Sequence, residues 1–206
     1  MLLFNLFAAG KQRETVPLFP LGTVLYPGAL LPLKIFEVRY MDMVKRCLKD
    51  KSPFGICLIR EGPEVGAPAV PESVGCFASI AEFDVEEVGI LKVVAHGEER
   101  FRIVATDTTP QGLVMGEVEA LAPEPKAPEA EGLRECSEFL AKVITGIGVK
   151  RFAEPLRFED ATWVGFRLAE ILPLRNDVKQ KLLELTDATL RLAVLHRFLR
   201  QQKLLA

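Results

Sequence analysis

Apolar residues gather at the start of this chain in a pattern that regular secondary structure does not produce. From Val16 to Tyr40 nearly every side chain is apolar, yet Pro17, Pro20, Pro27 and Pro32 interrupt the run together with two glycines. Proline has no amide to give a central strand, so this segment reads as short edge strands and turns wrapped on a core that other strands complete. Tyr26-Pro27-Gly28-Ala29 places proline and glycine where a type II turn needs a preset φ followed by a positive one.

The pattern then changes to a helical period. Val38, Met41, Val44 and Leu48 predict a helix over Glu37 to Lys49, with Arg39, Asp42, Lys45, Arg46 and Lys49 mainly off the stripe. Ser52-Pro53 stops it. Phe54 to Ile59 is a continuous apolar run, as in a strand buried on both faces, and 61–73 is a proline- and glycine-rich loop. Val74 to Phe83 predicts a strand. Ile90 to Ala95 and Arg100 to Thr106 predict a hairpin turning at His96-Gly97-Glu98-Glu99. Val114 to Ala120 alternates as a half-exposed strand with an acidic outer face.

Ala122 to Glu131 reads as a linker, with three prolines and almost no bulky apolar residue. Beyond it the period is 3.6. Leu133, Cys136, Leu140, Val143, Ile144 and Ile147 form one helix face ending at Gly146–Gly148. A loop follows over 150–160, then a helix over Trp163 to Leu172. Asn176 or Asp177 can cap a third helix and Asp187 a fourth. Leu192, Leu195 and Leu199, flanked by Leu190, Val194 and Phe198, give that last helix a broad apolar stripe. The expected fold class is α+β: a mostly-β, barrel-like unit (1–121), a linker (122–131) and a C-terminal helical bundle (132–206), whose apolar faces leave room for self-association.

PLFPLGTVLYPGALLPLKIFEVRY, the charged helix after it, FGICLI, VGCFASI and GEERFRIV together resemble the amino-terminal, substrate-binding domain of Lon proteases, which also occurs as a stand-alone bacterial protein. The likeness runs in order from Val16 to Ala120 and resumes over Lys179 to Leu195. It implies a PUA-like pseudobarrel and recognition of unfolded or tagged polypeptides by their exposed apolar segments, in partnership with a protease. One departure is Lys34, where many relatives carry histidine, so a role tied to that ring does not carry over.

Composition adds limits. Among 206 residues, 49% are hydrophobic, ample for a core, and the net charge is −2. Residues 1–121 carry 12 basic and 16 acidic side chains and 122–206 carry 14 and 12, which marks two surfaces and no phosphate-binding stripe. Nucleic acid is therefore the alternative partner only: the basic residues around the first helix (Lys34, Arg39, Lys45, Arg46, Lys49, Lys51) would have to track RNA phosphates, whereas an exposed face of mixed charge is the simpler reading. MLLFNLFAAGK is too short for a membrane span and lacks the basic lead of a signal peptide, so a cytoplasmic protein without membrane contact is expected.

Reaction chemistry is sparse. Cys47, Cys57, Cys76 and Cys136 lie 10, 19 and 60 residues apart with no C-x-x-C, and with two histidines nothing has zinc-ligand spacing. Free buried thiols are expected. Gly146 to Lys150 lacks the glycine spacing and the Ser/Thr of a phosphate loop. His96 beside two glutamates reads as a solvated turn residue, His196 as a surface one, and Glu82, Asp84, Glu86 and Glu87 as a solvated acidic connection. No cofactor, metal or catalytic residue is expected, and no serine–lysine nucleophile pair is visible. Shallow apolar surface beside the broken opening segment suits peptide contact, with Tyr26, Phe36, Arg39, Tyr40 and Phe101 as candidate contacts.

Overall fold

The structure, a computed structural model, describes residues 13–205 apart from Val88, Lys126, Pro128 and Glu129. The apolar start of the chain lies outside the described residues. Its elements in order are β1 (Arg13–Leu21), β2 (Leu30–Ile35), α1 (Val38–Asp50), β3 (Phe54–Glu61), β4 (Val70–Pro71), β5 (Val74–Glu87), β6 (Ile90–Thr108), β7 (Val114–Ala120), α2 (Leu133–Ile147), α3 (Ala161–Ile171), α4 (Asn176–Glu184) and α5 (Ala188–Gln201), with a 3₁₀ turn at Val149–Arg151.

β1, β7, β6, β5 and β3 follow one another in hydrogen-bonded order, and a parallel pairing of β1 with β3 closes the ring. β1 achieves this by changing partners: Arg13 to Leu18 pair with β7, and Leu18 to Leu21 pair with β3. Each half of the strand therefore keeps one open edge, which is why Pro17 and Pro20 are tolerated in a nine-residue strand. The barrel interior is filled by Val16, Leu18, Cys57, Phe77, Phe101, Val114 and Val118. β2 lies off the ring and pairs only with β6 among the described residues.

The turn at Tyr26–Ala29 forms as its residues dictate. The Ala29 amide donates to the Tyr26 carbonyl at 3.0 Å, and Gly28 has φ 71°. The predicted hairpin at His96–Glu99 does not form. β6 runs unbroken for 19 residues through that stretch, and the reversal comes instead between β5 and β6, at Gly89 with φ 91°. Gly97 is needed for a different reason: a Cβ there would lie 2.1 Å from the Tyr26 carbonyl oxygen. The 26–29 turn is pressed onto the strand, with Gly28 N–H donating to Gly97 C=O at 2.7 Å and Gly97 N–H to Ala29 C=O at 2.8 Å.

α1 forms where the period places it but is rotated from the predicted stripe. Arg39, Tyr40, Met43, Val44 and Cys47 are buried, while Val38 is 66% exposed. In α5 the Leu192, Leu195 and Leu199 row is buried, while Leu190 and Val194 are half exposed. Asp187 caps α5 as expected; Asn176 caps nothing, and its amide donates to the Gly22 carbonyl at 2.6 Å. The helices share one apolar core with α1 and the barrel's outer side. The opening segment is their dock: Tyr26 Oη donates to Lys179 C=O at 2.8 Å, and Arg167 donates to the carbonyls of Pro27 (2.9 Å) and Gly28.

Candidate functional site

Side chains alternate along β6, so its first half has one buried row (Val93, Ala95, Gly97) and one outward row (Lys92, Val94, His96, Glu98). The outward row is the floor of a crevice, and the 147–157 segment together with α3 forms its far wall. Four hollows follow that floor. The first, 530 Å³, lies among Pro32, Lys34, Glu82, Phe83, Lys92 and Val94. The second, 510 Å³, shares Pro32, Glu82 and Val94 with it and is walled by Ile147, Phe152 and Ile171. The third, 210 Å³, lies among His96, Glu98, Glu154, Arg157 and Trp163. It shares Glu98, Glu99 and Arg157 with the fourth, 490 Å³, which reaches Arg100, Glu124 and Asp160. From Lys92 to Arg100 an extended strand covers about 26 Å, the span of an extended segment of about eight residues.

Both ends of the crevice mix apolar and charged side chains: Lys34, Glu82, Asp84, Lys92, Lys150, Arg151 and Glu170 border the first two hollows, and Glu98, Glu99, Arg100, Glu124, Glu154, Arg157 and Asp160 the other two. Ile147, 42% exposed, leaves the apolar wall of the second hollow uncovered, whereas Phe83, 61% exposed, pairs with Val93 and so leaves the sheet on the face opposite Val94. Further along the floor, Ser79 Oγ donates to Glu98 Oε1 at 2.6 Å and His96 Nδ1 meets the same oxygen at 2.8 Å. Partial burial pushes the Glu98 carboxyl up, but the bonds from Ser79 and His96 outweigh it and hold it below the ordinary carboxylate value. Serine, histidine and glutamate meet here in the wrong order for nucleophilic catalysis. The hydroxyl donates to a carboxylate and not to an imidazole, so the serine–histidine contact of a Ser-His-acid triad is not made. Among the described residues no group of three or more His, Cys, Asp or Glu side chains could hold a metal ion.

The sequence-predicted contact residues divide into two sets. Phe36, half exposed, lines a 260 Å³ hollow with Phe19, Tyr40, Glu64 and Val65, and Lys34 lines both this hollow and the first of the crevice. Tyr40 is the hollow's inner wall, stacked on Phe19 with ring centroids 3.9 Å apart. Arg39 lies beneath, its guanidinium 4.7 Å from the Tyr40 ring, donating to Gly112 C=O at 2.8 Å and paired with Glu37 at 2.9 Å. This inward pairing removes Arg39 from the basic face considered for RNA phosphates. Tyr26 and Phe101 are corrections. Both are fully buried. Tyr26 spends its hydroxyl on Lys179, and Phe101 fills the space that Gly55 and Gly75 leave inside the barrel, so neither offers a surface.

The crevice residues Val94 and Glu98 are hidden in the sequence because the supposed turn at 96–99 divides their strand, and Ile147 and Phe152 because they reach it from the distant end of α2 and the segment after it. Of the acidic set, Glu82 and Asp84 are exposed on β5, while the side chains of Glu86 and Glu87 lie outside the described residues. The four cysteines are free and buried, as expected.

A closed five-stranded barrel with a helical unit clasped to its side defines an α+β fold of the kind that the opening segment implies. The family profile described as the ATP-dependent protease La (LON) substrate-binding domain matches residues 15–201, and the chain belongs to that family. The crystal structure of a Lon N-terminal domain protein from Xanthomonas campestris is similar at 35% identity and a TM-score of 0.74, over 88% of this chain and 96% of that one. The N-terminal domain of a Mycobacterium avium complex Lon protease has the same fold, with a TM-score of 0.64 at 21% identity over 88% of this chain and 96% of that one. Lon protease 1 of Bdellovibrio bacteriovorus is 25% identical over 190 residues, 86% of this chain. The chain spans 24% of that relative's length. No helix among the described residues is long and apolar enough to cross a membrane.

Proposed function

We propose that this chain is a non-catalytic polypeptide-recognition module that holds apolar segments of unfolded or tagged proteins along the β6 crevice, in cytoplasmic protein quality control and in partnership with a protease. The observation that carries the reading is the uncovered apolar surface of the second hollow, where Val94 and Pro32 form the floor and Ile147 the rim. Membership of a family described as substrate-binding supports it. Recognition runs through side chains more than through strand addition. Pro32 cannot donate within the β2–β6 ladder, so its nitrogen faces the open edge of β2, and that edge lacks a donor at its centre.

The test is fluorescence anisotropy with a permanently unfolded probe, a reduced and carboxymethylated protein, against wild type and the variant Ile147→Ser. That side chain is 42% exposed, so the variant keeps its fold. Burying a large apolar side chain contributes roughly 1.5–3 kcal/mol, so binding should weaken by about tenfold to a hundredfold. Equal affinity in the two proteins, or no saturable binding by either, sinks the reading.

A further inference from the structure

At the Arg100 end of the crevice the linker contributes one residue that points inward. The Glu124 side chain is 1% exposed. Arg100 of β6 meets its carboxylate at 2.7 Å, and Arg191 of α5 grips both carboxylate oxygens. The two guanidiniums also donate to backbone carbonyls at the α4–α5 corner: Arg100 to Leu183 (2.7 Å) and Leu185, Arg191 to Leu182 (2.9 Å) and Leu185. Phe166 of α3 completes the cluster, with the Arg191 guanidinium 4.0 Å and that of Arg100 5.6 Å from its ring. Strand, linker and three helical elements thus converge on a single carboxylate.

We infer that Glu124 is a clasp: a positioning residue that holds the α4–α5 corner against β6 and thereby sets the separation of the crevice walls. Two arginines buried side by side repel each other, and each still needs its donors satisfied. With the carboxylate present, the proline-rich linker becomes the pin between them. With the carboxylate neutralised, the corner carbonyls are the guanidiniums' remaining anchors, and the least costly relief is for the corner to lift away from the strand. The clasp stands on its own geometry; only its bearing on client binding rests on the polypeptide reading above.

Hydrogen exchange read by mass spectrometry tests the clasp without any client. In Glu124→Gln, amides of 182–192 and that of Leu121, which donates to Arg100 C=O at the start of the linker, should exchange at least roughly tenfold faster than in wild type. Those of α1, which gives no residue to the cluster, should keep their protection. Glu124→Asp, which keeps the charge but shortens the reach, should show the same local change in smaller measure, and it reads the same quantities if the glutamine variant is not recovered folded. Unchanged exchange at the corner overturns the clasp. So does equal acceleration in α1 and the corner, because the residue would then be only one more contributor to global stability. Faster exchange at the corner with unchanged probe binding, conversely, would count against the crevice as the client's site and not against the clasp.

Discussion

Replacing Gly97 by alanine separates the observed strand from the hairpin that local sequence predicts. In a hairpin turn this substitution would cost about 1 kcal/mol, the ordinary penalty at a conformationally permissive glycine. In the observed fold the added methyl meets the Tyr26 carbonyl oxygen at 2.1 Å and its carbon at 3.0 Å. Both are backbone atoms, so no rotamer change relieves the clash; the 26–29 turn must lift off β6. Lifting it breaks the two bonds from Gly28 N–H to Gly97 C=O and from Gly97 N–H to Ala29 C=O. Two backbone bonds lost and an overpacked contact together cost about 2–6 kcal/mol. For a domain of this size that is a fall in Tm of about 5–20 °C. Gly146→Ala is the matched control, since it lies inside α2 with nothing within 4 Å of the added Cβ and should raise stability slightly. Thermal melts followed by circular dichroism read both. A Gly97→Ala variant melting within about 2 °C of wild type would refute the close-approach argument.

Three other outcomes follow from burial and capping. Burial raises the phenol pKa of both tyrosines, Tyr26 and Tyr40, because it disfavours the charged phenolate. The stability they contribute is therefore fully present below the unfolded value of about 10 and is lost as pH rises above it. Ultraviolet difference titration should show both ionising late in native protein and normally in denaturant; a normal native titration would contradict the burial. Burial likewise pushes the thiols up, Cys136 to about 12 and Cys57 and Cys76 further, so native protein at pH 8 should react with a thiol reagent only as fast as it opens. A thiol labelled at the rate of a free cysteine would be inconsistent with that. Asp187→Ala removes acceptors for Thr189 N–H (2.8 Å) and Leu190 N–H (3.1 Å) and should cost about 1 kcal/mol in denaturant melts, with no loss counting against the cap.

Local signals in the sequence carried the fold where structure is decided locally. The Pro27–Gly28 turn, the doubly buried β3, the alternation of β7 and the Asp187 cap each depend on a few consecutive residues, and each appears as its residues dictate. Readings failed where a residue answers to something distant. Gly97 looks like a turn glycine because its reason, the Tyr26 carbonyl, lies 71 positions away in the chain. The α1 stripe was misphased because Tyr40, Met43, Val44 and Cys47 make as regular a period as Val38, Met41, Val44 and Leu48, and only packing chooses between them. Tyr26 and Phe101 read as contact residues because an aromatic ring in an apolar strand gives no local sign of which side is solvent. The crevice was hidden for the same reason: its floor is one alternate row of β6, and its far wall begins some 50 residues later, at Ile147.

The broken opening segment nevertheless explains why the two halves meet where they do. A regular strand pairs its carbonyls with a neighbouring strand and has none to offer. Prolines at 17, 20 and 32 stay within the paired strands β1 and β2, but the stretch between those strands leaves the ladder, and at the 26–29 turn the carbonyls of Pro27 and Gly28 accept from outside the sheet. A buried guanidinium needs such acceptors, because an unpaired charge in the interior is far costlier than an exposed one. Arg167 finds them there; burial still holds its pKa below the ordinary value, with Glu170 at 3.2 Å working against that effect. Asn176 takes a third carbonyl, that of Gly22, from the same segment. The loop and turn between β1 and β2 thus keep the polar groups on which the helical half docks, and the crevice is the gap that docking leaves along β6.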